Sequence, residues 1–322
     1  MTAARATAVT VRQLTAGEAA LVPGLWRSAW GARAELYPLE ERAWRDRLAA
    51  HHDPTLLLGA FAGDELVGVT HGRTPTASWL PAGVGWVSLL AVAGPWQGRG
   101  VGGRLLAELF ARLRERGART YRLGSDANHL LPGPPQESSP ALWRLARRAG
   151  ARFLATEHDL HVDLRLEPPA APLPPGWRVR DDDPAAALEF VTRAFPGRWT
   201  AEVGAYLAAG ATVLTLQRDG EARADGFCAV FTGDEAVLGP SLHWRRALMA
   251  DVADRPGGMG PLGVSESARG SGLGLALVRA GAVWLASRGA TDAVINWTTL
   301  TPFYGKLGAR VWRTYQRVEG PL

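Results

Sequence analysis

The chain has 322 residues, 47% hydrophobic and 21% charged, with 38 glycines, 22 prolines and a single cysteine, Cys228. These are globular proportions: they exclude a collagen-like, coiled-coil or wholly disordered chain, and the length suits about two domains, each with a core. One cysteine excludes an intrachain disulfide or cysteine-cluster metal site and points to a reducing compartment, while a net charge of +5 with both signs interspersed gives little support for a nucleic-acid partner.

In chain order, residues 9–13 read as a strand, followed by helical stretches around 19–30 and 39–51. Residues 56–61 and 66–73 read as the strands of a hairpin joined by the turn Ala62-Gly63-Asp64-Glu65. A strand at 84–92 runs into a glycine-rich turn. A helix at 101–115 follows, with Leu105, Leu106, Leu109, Phe110 and Leu113 on one face. A strand at 121–125 leads to the rigid loop Asn128 to Pro135, which is either a plain Pro-Gly turn or part of a substrate wall. A helix at 140–149 carries Arg144, Arg147 and Arg148, and with Arg152 these form a basic face for solvent or for a phosphate. An extended stretch at 153–164 ends the first half.

The segment from Glu167 to Gly176 is too proline-rich for a helix or a central strand and reads as a semi-rigid linker. The expected domains are therefore 1–166 and 177–322, joined by a linker at 167–176. The second half has strands around 179, at 213–217, 222–231 and 259–264, and a helix at 271–287. A strand at 293–297, a short helix at 302–307 and an end strand at 310–318 complete it. Each half predicts a mixed, mostly antiparallel sheet with helices on both faces, so the class is α/β or α+β. The apolar stretch at 273–286 is interrupted by Arg279 and is too short to cross a bilayer, and the N-terminus lacks the apolar core of a signal peptide. A cytoplasmic protein with no membrane partner is expected.

The second half repeats the first. The segment from Leu90 to Gly102 aligns without gaps with Leu262 to Gly274, and Arg116-Gly117-Ala118 recurs as Arg288-Gly289-Ala290, at a common offset of 172 residues. The shared element is a strand, then Gln97-Gly98-Arg99-Gly100-Val101-Gly102 or Arg269-Gly270-Ser271-Gly272-Leu273-Gly274, then a helix. Glycines there let backbone N–H groups at a helix N-terminus converge on a phosphate. A P-loop is excluded because neither turn contains a lysine. A dinucleotide fold, using Gly98, Gly100, Gly103 and the later Asp126, is a rival. Its fingerprint normally opens the first strand–helix unit, however, and the second copy has Leu275 where the third glycine would fall.

Both turns resemble the pyrophosphate-binding motif of the GCN5-related N-acetyltransferases: a strand ending in Val (Val92, Val264), four residues, then Gln or Arg, two residues, Gly, one residue and Gly. The resemblance covers most of each copy and implies a tandem acyltransferase that moves acetyl from acetyl-CoA, as co-substrate, to the primary amine of a small molecule or peptide. It implies that acetyl-CoA is held by Leu90, Ala91, Val92, Gln97, Gly98, Arg99, Gly100, Val101, Gly102 and Gly103 in the first copy. In the second copy the corresponding residues are Leu262, Gly263, Val264, Arg269, Gly270, Ser271, Gly272, Leu273 and Gly274. Asn128 and Asn296 would touch the CoA arm. Tyr304, in Phe303-Tyr304 ahead of Gly308, would be the general acid, and the matching slot in the first copy is Ala146. The alternative for Tyr304 is a half-buried helix residue bonded to a carbonyl. The rival functions are an acyl-CoA-binding regulator without turnover and an NAD(P)-dependent oxidoreductase. His51, His52 and His71 lack the spacing of metal ligands, and no metal is expected.

Overall fold

In the computed structural model, residues 8–49, 53–127, 129–166, 172–237, 239, 242–251 and 254–322 are described. Asn128, His51, His52 and the first half of the linker (167–171) lie outside them. The elements are β1 (Val9–Gln13), α1 (Val22–Trp30), α2 (Glu41–Ala49), β2 (Leu57–Ala62), β3 (Glu65–Arg73), β4 (Val84–Val92), α3 (Val101–Glu115), β5 (Thr120–Leu123), α4 (Pro140–Arg148) and β6 (Arg152–Asp163). The second copy follows with β7 (Trp177–Arg180), α5 (Pro184–Ala194), α6 (Arg198–Ala208), β8 (Thr212–Arg218), β9 (Ala224–Phe231), α7 (Arg245–Asp251), β10 (Pro256–Val264), α8 (Leu273–Ser287), β11 (Asp292–Thr298), α9 (Thr301–Gly305) and β12 (Arg310–Pro321).

The folded units do not coincide with the sequence copies. One comprises residues 1–156 and 315–322, the other 157–314. In the first unit β1, β2, β3 and β4 pair antiparallel in order and β4 pairs parallel with β5. Beyond β5 comes the end of β12, with Val318 opposite Leu123 and Pro321 opposite Thr120. In the second unit β7, β8, β9 and β10 run antiparallel, β10 pairs parallel with β11, and β11 pairs with the end of β6, with Asp292 opposite Asp163. The last strand of each sheet therefore comes from the other copy of the repeat.

Helix α3 presents the apolar stripe its spacing predicts. Val101, Leu105, Leu109 and Leu113 are buried beneath it with Val87 and Leu58 of the sheet. Where the helix lies closest, the strands carry glycine: a Cβ on Gly72 would meet Leu109 at 2.5 Å and one on Gly85 would meet Leu113 at 2.9 Å. In the second unit α8 packs Leu273, Leu277, Val278 and Leu285 on Leu214, Cys228, Met259 and Ile295. No described helix is long and apolar enough to cross a membrane.

Candidate active site

The parallel ladder between β4 and β5 spans only four pairs, from Val84 opposite Thr120 to Val87 opposite Leu123. The Gly124 N–H then donates to the Val87 carbonyl at 2.9 Å, and the chain turns away at Ser125, whose φ is +60°. β4 runs on to Val92 paired with β3 alone. The two strands therefore splay. The second unit repeats the geometry: β10 and β11 pair from Pro256 opposite Asp292 to Met259 opposite Ile295, and the turn-away residue, Trp297, has φ +52°. Ser125 and Trp297 are themselves 172 residues apart. The same offset pairs Asn296 with Gly124 rather than with Asn128.

The glycine turns are alike to within a degree or two. Gly98 and Gly270 have φ of +75° and +76°, and Gly100 and Gly272 of +82° and +83°. Open space surrounds a Cβ at all four, so it is the left-handed backbone, not crowding, that calls for glycine. Gly100 and Gly272 cap α3 and α8 without any side-chain hydrogen bond. The first helical N–H groups, at the positive end of the helix dipole, are thus left for an anion.

In the first unit these parts converge on one cleft of about 400 Å³. Leu90, Ala91 and Val92 of the splayed strand line it, as do Gln97, Gly98, Gly100, Val101, Gly102 and Gly103 of the turn. Gln97 pins the turn by donating to the Ala29 and Val92 carbonyls at 2.8 and 2.9 Å. Arg99 is not part of the lining and lies over the Trp96 ring. Two members of the predicted basic face, Arg144 and Arg148, line the cleft and supply positive charge beside the turn. Arg152 instead lies 3.9 Å from Glu319.

Of two further walls, the aromatic one was not read from the sequence and the other begins in the proline loop. Trp26, Trp30 and Arg33 stand on one side, and Leu131, Gly133, Pro134, Pro135 and Ser138 on the other. The Trp26 ring N–H donates to the Tyr37 carbonyl at 2.7 Å, and Trp30 stacks on Tyr37 at 4.7 Å. The Tyr37 hydroxyl donates to Glu137 at 3.0 Å, and Arg33 donates to the Glu137 carbonyl. The aromatic segment and the 131–138 loop are thereby held together. The i, i+4 spacing of Trp26 and Trp30 was the signal available; among 13 scattered tryptophans it carried no contrast. Of the proline loop, Leu131, Gly133, Pro134 and Pro135 line the cleft.

The second unit arranges its predicted residues differently. Val264 and Arg269 line a separate cavity of about 480 Å³ with Arg193, Arg218 and Glu266. Leu262 and Gly263 pair with Cys228 and Phe227, and Phe195 packs against Gly263. Asn296 is half-buried on β11. Tyr304 is 6% exposed within the apolar cluster of the unit, and desolvation, with Cys228 as a lesser cause, raises its hydroxyl pKa. Gly260 and Pro261 stand at 172 residues from Ser88 and Leu89, so the second strand lacks a backbone N–H where the first has one. Asp126, the acid a dinucleotide site would use, is 2% exposed and lies 3.1 Å from the Arg73 guanidinium, unavailable to a ribose.

Residues 22–130 match the model of the acetyltransferase (GNAT) family. A mycothiol acetyltransferase of Thermobispora bispora is 29% identical over 272 residues, covering 78% of this chain and 79% of its own length. One of Actinosynnema mirum is 30% identical over 230 residues, covering 66% of this chain and 73% of its own. The chain belongs to the GNAT family. This GNAT chain carries acetyl from acetyl-CoA to an amine acceptor. Solved structures agree on the fold. A glucosamine N-acetyltransferase region of a fungal multi-domain β-N-acetylglucosaminidase superposes with a TM-score of 0.81 at 22% identity; the match covers 98% of this GNAT chain and only 38% of the fungal one. A tandem GNAT protein from the clavulanic acid biosynthesis pathway superposes at 0.69 with 16% identity, covering 98% of both chains.

Proposed function

We propose that the cleft of the first unit is where acetyl transfer takes place, and that the acceptor is a small-molecule amine. The observation that carries this reading is the continuity of one cleft past the glycine turn, the splayed strand and an aromatic wall. In this reading the turn N–H groups of 98–103, with Arg144 and Arg148, hold the diphosphate, and β4 beyond Val87 holds the pantetheine arm by its free backbone edge. Trp26, Trp30 and the proline loop orient the acceptor and exclude water, which strengthens every polar contact inside. The name mycothiol acetyltransferase borne by two relatives supports a small metabolite over a protein as acceptor. Pro261 supports a silent second copy, since a strand without that N–H is poorer at polarising a carbonyl. The burial of Tyr304 supports the packing role weighed beside the general acid.

Paired variants test the assignment. A Cβ on Gly102 would meet Leu145 at 3.3 Å and Val92 at 3.6 Å, and one on Gly274 would meet Phe303 at 3.8 Å. Gly102→Val is expected to raise the KM for acetyl-CoA at least about 30-fold, a loss of about 2 kcal/mol, and Gly274→Val to leave it unchanged. Thiol release with a panel of small amines measures both. Reversal of the two results would move the chemistry to the second unit.

A further inference from the structure

We propose that Ser88 is a catalytic hydroxyl of the first-unit cleft, donating a hydrogen bond to the thioester carbonyl oxygen as charge builds on it. Ser88 is the first residue of β4 beyond Val87, the last partner of β5, and so stands at the apex of the splay. It also stands at the β4 irregularity: the β3 ladder steps from His71 opposite Leu89 to Gly72 opposite Val87, leaving Ser88 without a partner across β3. The residue is 6% exposed, and its Oγ finds no hydrogen-bond partner among the described residues. A buried hydroxyl left unpaired is destabilising, so its presence in a strand asks for a ligand. The residue lines the cleft, with Val87, Leu123 and Leu131 as apolar neighbours in the lining, where a hydrogen bond to developing charge is strong. The repeat supplies an independent contrast: the residue 172 positions later is Gly260, and the copy without the hydroxyl is the one whose strand also carries Pro261.

The role balances without moving the serine proton. The amine lone pair forms the N–C bond and the carbonyl π pair moves to oxygen, where the Ser88 O–H stabilises it. The pair returns as the C–S bond breaks, and the departing sulfur ends as a thiol with the proton given up by the amine. The products are the amide and free CoA.

This inference rests on the first-unit reading above. Purified full-length Ser88→Ala and the near-isosteric Ser88→Cys, a weak donor, are expected to lower kcat about 100-fold, the scale of losing one oxyanion donor. The KM for acetyl-CoA should stay within about threefold and Tm should hold or rise, because the lost hydroxyl had no partner. Ser88→Thr, which keeps the hydroxyl, should recover at least about a tenth of the parental kcat. A kcat within about threefold of the parent in Ser88→Ala and Ser88→Cys overturns the inference, as does an equal loss in Ser88→Thr or a rise in KM matching the fall in kcat. If Gly102→Val raises the KM for acetyl-CoA at least about 30-fold while Ser88→Ala leaves kcat unchanged, the serine role alone fails. If Gly102→Val leaves that KM unchanged as well, the site reading fails with it.

Discussion

Arg73 is a buried cation of the first unit held by several partners. It is 5% exposed, lies 3.1 Å from Asp126 and donates to the Ala127 carbonyl at 3.0 Å and to the Arg47 carbonyl. It therefore ties β3 to the C-terminal turn of α2 and to the segment after β5. Removing one member of such a pair strands the other charge in the interior, so Asp126→Ala should cost about 3–5 kcal/mol of stability, whereas Arg73→Met with Asp126→Leu should recover part of it. Urea unfolding of the single and double variants measures the difference. Cys228 gives a pH prediction. Burial pushes its thiol from an ordinary 9.0 up to about 12. The folded state disfavours the thiolate, so the stabilisation is complete below about pH 9 and is lost as pH rises toward 12. About 1 kcal/mol should disappear between pH 8 and pH 10, and less in Cys228→Ala. At this scale little could be read in advance. A serine within an apolar strand looks like any other strand residue, and Asp126 offered itself as a ribose ligand until its arginine partner was seen. Tyr304 matched a family pattern while its six-residue neighbourhood said nothing of burial.

The strand–turn–helix element was the most legible part of the molecule, because its glycines answer to a backbone requirement rather than to packing. A residue with a Cβ in the left-handed region costs about 1–2 kcal/mol, so Gly98→Ala and Gly270→Ala should each destabilise by roughly that amount. Only Gly98→Ala should also weaken acetyl-CoA; thermal unfolding with and without acetyl-CoA separates the two effects, since a ligand at 100 times its Kd adds about 2.7 kcal/mol. The amphipathic spacing of α3 placed Leu105, Leu109 and Leu113 where the structure has them. The aromatic wall was not legible, since its order comes from hydrogen bonds that join α1 to Tyr37 and Tyr37 to Glu137, the latter pair 100 residues apart in sequence.

For the whole molecule, repeat spacing revealed a duplication but not which strand completes which sheet. The stretches 153–164 and 310–318 have the same alternating character, and nothing in either names its neighbour. The structure pairs the end of β12 with β5 and the end of β6 with β11. A chain stopped after residue 314 would leave β5 with an open edge and the first unit without Tyr315 and Val318, both buried. It should lose cooperative unfolding and acetyl-CoA binding together, measured by calorimetry with and without acetyl-CoA. Proteolysis confined to residues 172–176 should give fragments that stay together on size exclusion, because each piece holds a strand the other's sheet requires. The trade also bears on inheritance. A gene that lost either copy would strip a strand from the survivor, so a half that has stopped turning over substrate would still be retained for the scaffolding it lends its twin.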